Sequence, residues 1–157
     1  MQLGDLLLVQ FRLDPVGFLI RKITKCNYNH IVWIINDEEM IEVKGRGTLI
    51  SNAKKYQNKF FYKTKLLRVK DINTKVLYDC IMDYALRLTV RGSYIKLWIT
   101  YIRILLNKPL PHPRLTCSGF IALCLSFIGF RFIENKSPEN ITPFDIEKSK
   151  KTYEPKT

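Results

Sequence analysis

Histidine is nearly missing from this chain: His30 and His112 are the only two imidazoles in 157 residues. A histidine-rich metal centre is therefore excluded, and any imidazole-dependent chemistry must run through one of these two groups. Close cysteine pairs are missing too. Cys26, Cys80, Cys117 and Cys124 are dispersed, which removes both the zinc knuckle and the disulfide-dense secreted scaffold. Cys80 and Cys124 sit in apolar, helix-like contexts and are expected as reduced thiols. The pairs Cys26-x3-His30 and Cys117-x6-Cys124 lack the tight spacing of a structural zinc site, so no metal and no cofactor is expected. Long apolar runs are also lacking. The greasiest stretch, residues 94–106, carries Lys96 and Arg103 and is too short to cross a bilayer. The start, Met1 to Asp5, shows no basic segment leading into an apolar run, so a secretory leader is not expected and the cytoplasm is, or a host cytoplasm for a viral or phage chain.

Acidic residues are scarce: 14 stand against 26 lysines and arginines, a net charge of +12 and a pI near 9.6. Such a balance suits an anionic partner, and an anionic membrane surface is one candidate. The densest basic stretch runs through Lys54, Lys55, Lys59, Lys63, Lys65, Arg68 and Lys70, but apolar residues interrupt it, as on an ordinary solvated face. No nucleic-acid reading motif accompanies it, so nucleic acid is not the expected partner. The oligomeric state is left open.

The apolar share of 46% and charged share of 25% are those of a globular domain. Residues 1–147 are expected to form one domain, and 148–157, polar and Lys-rich, a flexible basic tail. Leu6 to Phe11 predicts a buried strand and 16–24 a short helix. His30 to Ile35 and Met40 to Lys44 predict a hairpin around Asn36-Asp37-Glu38-Glu39, with Thr48 to Ile50 extending the chain. Phe60 to Tyr62 and Leu66 to Val69 read as two short strands. Val76, Leu77, Cys80, Ile81, Tyr84, Ala85 and Leu88 recur at helical steps over 74–88. Residues 94–106 are a further helix candidate. Thr116 is placed to cap a helix over 117–128 that Gly129 ends. Strands early and helices late predict an α+β domain in which an antiparallel sheet packs against helices.

The chemistry concentrates at Leu115-Thr116-Cys117-Ser118-Gly119-Phe120. A thiol at a helix N-terminus feels the positive end of the helix dipole, which favours thiolate, and the helix-start N–H groups can hold an oxyanion. Ser118 and Gly119 are small, so a substrate could approach closely. The competing reading of Cys117 is a buried structural cysteine. His30 opens an apolar strand and is the candidate base; His112, between prolines, is the lesser rival. Glu42 alternates with Ile41 and Val43, so it points to the other side of the sheet. From a neighbouring strand it could accept the imidazole N–H and fix the tautomer, and otherwise it is a solvent-facing carboxylate.

Together these residues resemble the circularly permuted branch of the NlpC/P60 superfamily of papain-like cysteine hydrolases, which includes YiiX/YebB-like and poxvirus-type members. Thr116-Cys117-Ser118-Gly119-Phe120 is similar to the family's D-C-S-G segment. Gly4-Asp5-Leu6-Leu7-Leu8 is similar to its G-D-L strand, and His30-Ile31-Val32 to its H-V-G strand. Met40-Ile41-Glu42-Val43 is similar to its third-residue strand, with Glu where many relatives have His. Ile141-Thr142-Pro143-Phe144-Asp145-Ile146 matches a late T-P-x-D-L turn. Here the strand half precedes the cysteine half, as in permuted members. Trp33 departs from the pattern and is expected to shape or crowd the site. The resemblance implies a papain-like fold with the nucleophile at a helix N-terminus. It implies a thiol-dependent hydrolase or acyltransferase acting on an amide or ester through an acyl-enzyme on Cys117, with His30 as base and Glu42 as orienting carboxylate. Tyr94 and Ser118 would contact substrate or oxyanion. The substrate would be a peptide, an amino-acid amide or a lipid. The alternative is a non-catalytic binding module on the same fold, recognising an anionic peptide or lipid.

Overall fold

The run Leu6-Leu7-Leu8-Val9 is apolar on both sides of a strand, and so is Ile31-Val32-Trp33-Ile34; strands of this kind belong where both faces are covered. In the computed structural model, which describes residues 1–44, 47–87 and 116–155, they become the two central strands. β1 spans Leu6–Phe11 and β2 His30–Ile34. β3 spans Glu39–Lys44, β4 Gly47–Asn52, β5 Tyr62–Val69 and β6 Thr152–Tyr153. The six strands form one antiparallel sheet in the order β4-β3-β2-β1-β5-β6. The helices are α1 (Pro15–Thr24), α2 (Thr74–Arg87), α3 (Cys117–Phe127) and α4 (Pro143–Lys148). The architecture is α+β, as the order of strand and helix signals predicts.

Alternation along the strands divides the interior. Leu6, Leu8, Ile31, Trp33, Ile41 and Val43 join Leu77 of α2, Phe120, Ile121, Cys124 and Leu125 of α3 and Ile146 of α4 in the larger core. Leu7, Val9, Val32, Ile34 and Met40 turn the other way and pack with Ala53 and Tyr56, which lie on a 3-10 turn over Ala53–Tyr56. Trp33 is fully buried and stands opposite Leu6 and Ile41 in the ladders. Its bulk therefore fills the core rather than crowding a site, which corrects the expectation for this residue.

Three elements differ from the sequence expectation. The two short strands expected around residues 60–69 are one strand, because Lys63, Thr64 and Lys65 pair with Gln10, Val9 and Leu8 of β1 and the ladder carries the polar stretch. Thr48 to Ile50 is the middle of a full edge strand. The stretch from Lys148, expected as a flexible tail, folds back as far as residue 155. Thr152 pairs with Val69, the Lys70 N–H donates to the Lys151 carbonyl at 2.9 Å, and the Thr152 hydroxyl donates to the Ile146 carbonyl at 2.9 Å. The helix candidate at 94–106 lies outside the described residues.

Asp5 fastens the strand that leads towards the site. It is fully buried and accepts Arg68 Nε at 2.7 Å and Nη2 at 3.1 Å, a two-pronged pair joining the start of β1 to β5. Asp5→Ala strands a partly buried guanidinium and is expected to cost about 2 kcal/mol in urea unfolding, the range for hydrogen bonds to charged groups.

Candidate active site

Cys117 is the first residue of α3. Thr116 caps that helix: its side-chain oxygen accepts the Gly119 N–H at 3.0 Å, and its carbonyl accepts the Phe120 N–H at 2.8 Å. The cap fixes where the helix starts, and so holds the thiol at the positive end of the helix dipole. β2 and β3 pair at Trp33↔Ile41 and Ile34↔Met40. Towards His30 the two strands leave that ladder, and there the Ile31 and Ser118 backbones lie near Cys117 and favour its charged form.

His30, at the start of β2, bridges two partners. Its ring faces Cys117 closely enough for the two groups to set each other's charge, and Nε2 lies 3.4 Å from Glu42 Oε2. With Nε2 turned to the carboxylate, Nδ1 is the nitrogen left for the thiol. Thiol, imidazole and carboxylate thus form a line drawn from a helix start and two strands, and all three are buried. Phe11 and Tyr56 flank the imidazole, with ring centroids at 5.8 and 6.2 Å.

The charges in this line are set by each other. Burial opposes the imidazolium, but Cys117 and Glu42 more than offset it and raise His30 from 6.5 to about 9. Burial likewise opposes the thiolate, and the facing imidazolium with the Ile31 and Ser118 backbone lowers Cys117 below its ordinary value. The arrangement favours a thiolate–imidazolium pair at neutral pH.

Glu42 is not the solvent-facing carboxylate that its strand position allows; it is 1% exposed. Lys55 Nζ reaches Oε1 at 2.7 Å, Lys44 Nζ reaches the same oxygen at 3.1 Å, and the Ser51 hydroxyl donates to it. The Tyr56 hydroxyl donates to Oε2 at 2.6 Å, the oxygen that faces His30. Burial alone would raise the carboxyl pKa, but these donors with His30 hold it far below the usual carboxylate range. None of Ser51, Lys55, Tyr56 and Lys44 is a site candidate in the sequence. Ser51 could have been found from a full-length β4: Glu42 pairs with Leu49, so Ser51, two residues on, shares its face. Tyr56 arrives on a 3-10 turn that no periodicity announces.

Ser118 has its side chain committed elsewhere: its hydroxyl donates to the Ile141 carbonyl at 2.7 Å, so what it offers the site is backbone. Gly119 answers a packing need. A Cβ there would stand 2.7 Å from the Glu139 carbonyl oxygen and 3.1 Å from Thr116 Oγ1. Gly119→Ala is therefore expected to destabilise the fold by about 1–3 kcal/mol, the range for overpacking, measured as a lower urea midpoint at unchanged slope. Tyr94 and His112 lie outside the described residues.

Among the described residues, no cluster of three or more His, Cys, Asp or Glu side chains is arranged to hold a metal ion, and no helix is long and apolar enough to cross a membrane. No protein-family model and no curated protein matches the chain. Among solved structures, the chain is similar to the crystal structure of the metalloprotein YiiX from Escherichia coli O157:H7. The TM-score is 0.66 and the identity 14%, over 97% of this chain and 94% of that one. The chain has a YiiX-like fold.

Proposed function

We propose that this protein is a thiol-dependent hydrolase or acyltransferase built on a circularly permuted papain-like fold of the NlpC/P60 type. One observation carries the reading: Cys117, His30 and Glu42 come together as a buried line whose charges support one another, with the thiol at a capped helix start. Cys117 attacks the carbonyl carbon of an ester or amide as thiolate. The Cys117 N–H and a nearby donor stabilise the oxyanion. The His30 imidazolium gives its proton to the leaving alkoxide or amine as the carbonyl–heteroatom bond breaks, and a thioester remains on Cys117. Neutral His30 then takes a proton from water or another acceptor, which attacks the thioester and frees the thiol. Glu42 holds the ring and stabilises its charged form.

YiiX is described as a metalloprotein, but the donor set among the described residues does not fit a metal. Glu42 is wrapped by two ammonium groups and two hydroxyls, and His30 lies between the thiol and the carboxylate. Cys26 and Cys124 are bound into other parts of the core. No step is therefore routed through a metal.

The reading is tested with p-nitrophenyl acetate. Attack expels p-nitrophenolate and leaves an acetyl thioester, so a single acetyl adduct on Cys117 is expected by mass spectrometry, with none on Cys117→Ala. An adduct on another residue, or none, would overturn the proposal.

A further inference from the structure

A second feature lies on the surface beside this site. Phe60, Leu13 and Phe18 are 72%, 70% and 61% exposed, and Leu19 and Phe61 are exposed as well. These residues come from two segments that meet. The Arg12 N–H donates to the Phe61 carbonyl at 2.9 Å, and Phe11 pairs with Tyr62 in the sheet. On the other side Arg21 Nη1 donates to the Phe11 carbonyl at 3.0 Å, and Arg21 Cζ lies 6.0 Å from the centre of the Phe18 ring. One apolar lip thus runs from α1 across the β1 end to the start of β5. It joins the site through a chain of edge-on and tilted ring contacts: Phe60–Phe61 at 5.0 Å, Phe61–Tyr62 at 6.3 Å, Tyr62–Phe11 at 5.5 Å and Phe11–His30 at 5.8 Å.

The lip is rimmed by positive charge. Arg12, Lys22, Lys25, Lys59 and Lys63 are exposed around it, and none of them forms an ion pair among the described residues. Asp14 is the sole carboxylate in residues 11–25 and 57–63. Protruding aromatic and aliphatic side chains inside a ring of unneutralised cations are complementary to an interface that is anionic at its surface and apolar beneath. A protein partner could bury the apolar part, but it would also have to neutralise these five cations. A lipid surface meets both demands with one chemistry.

We infer that this lip docks the protein on anionic lipid headgroups, with the Phe60–Phe61 pair entering the interface next to the entrance of the Cys117 site. The probes are vesicles of phosphatidylglycerol mixed with phosphatidylcholine, and vesicles of phosphatidylcholine alone, in a sedimentation assay. The wild-type protein is expected to bind the anionic vesicles and not the neutral ones. Phe60→Ser with Phe61→Ser should weaken binding at least about tenfold. Arg12→Glu and Lys63→Glu should each weaken it about fivefold or more, with a marked loss at raised salt. All these residues are at the surface, and each variant should melt as wild type does. Vesicle binding asks nothing of Cys117, so its alkylation rate in solution should be unchanged in the Phe60/Phe61 variant, and failure of either property is read separately. No binding to anionic vesicles, or binding that survives the double serine change, overturns the inference. So does a wild-type dimer that the double change dissolves, which would assign the lip to a second copy of the chain.

Discussion

Replacing His30 by alanine is expected to slow alkylation of Cys117 by iodoacetamide at pH 6.5 about a hundredfold, because only thiolate reacts and its population is what His30 controls. Cys117 is buried, and burial by itself disfavours the charged sulfur. The facing imidazolium is the largest favourable influence on it, with the Ile31 and Ser118 backbone adding to it. Without the imidazole the backbone donors remain, but the thiol returns to or above the ordinary range near 8.5, where roughly one molecule in a hundred is thiolate at pH 6.5. Cys26 and Cys124 add little background. Burial and the Glu147 carboxylate push Cys26 up to about 11, and Cys124 is fully enclosed. His30→Gln keeps much of the volume and hydrogen-bonding capacity without the charge, and should be as slow as the alanine variant. A rate that falls only for alanine would mean that shape, not charge, activates the thiol.

Replacing Glu42 by alanine should give the largest loss of stability at the site, about 2–4 kcal/mol at pH 7. Removing one partner of a buried pair typically costs 3–5 kcal/mol. The lower range is expected here because the Lys44 and Lys55 side chains still meet water, at 40% and 35% exposure. The loss leaves two ammonium groups, a tyrosine hydroxyl and an imidazolium without their shared acceptor. Glu42→Gln keeps an acceptor oxygen and should lose less. The pH dependence has a definite sign. Glu42 is held below its ordinary 4.5, so its contribution is present above that pH and fades as pH falls below it. His30 runs the other way: raised from 6.5 to about 9, it contributes fully below 6.5 and loses that contribution as pH rises through about 9. Urea midpoints measured across pH should therefore fall on the acid side in wild type, and this acid slope should flatten in Glu42→Gln.

The strands that carry the site were legible because burial on both faces leaves runs such as Leu6-Leu7-Leu8-Val9, and because the hairpin from β2 to β3 is local. The partnership of His30 and Glu42 follows from that hairpin and from alternation. Cys117 was legible from its cap, Thr116, and the apolar run behind it. The cradle around Glu42 was not, since Lys55 and Tyr56 reach it from a 3-10 turn whose position depends on the β4 edge strand. A sequence shows that Glu42 is flanked by apolar residues; it does not show that four donors converge on it. The docking of Thr152 and Tyr153 on β5 was hidden for a related reason. Two residues are too few to carry a pattern, and the bond from Thr152 to Ile146 depends on where α4 ends. Gly119 was read as room for a substrate, whereas the Glu139 backbone occupies that room.

The central claim is that His30 and Cys117 form an ion pair, and the scarcity of histidine makes it directly measurable. With only His30 and His112 in the chain, a histidine-labelled sample gives two imidazole signals, and His30→Ala assigns them. The account predicts that the His30 ring stays protonated until about pH 9, and that Cys117→Ala moves this midpoint downward by removing the thiolate. A His30 midpoint at or below 6.5, or one that Cys117→Ala leaves in place, would contradict it.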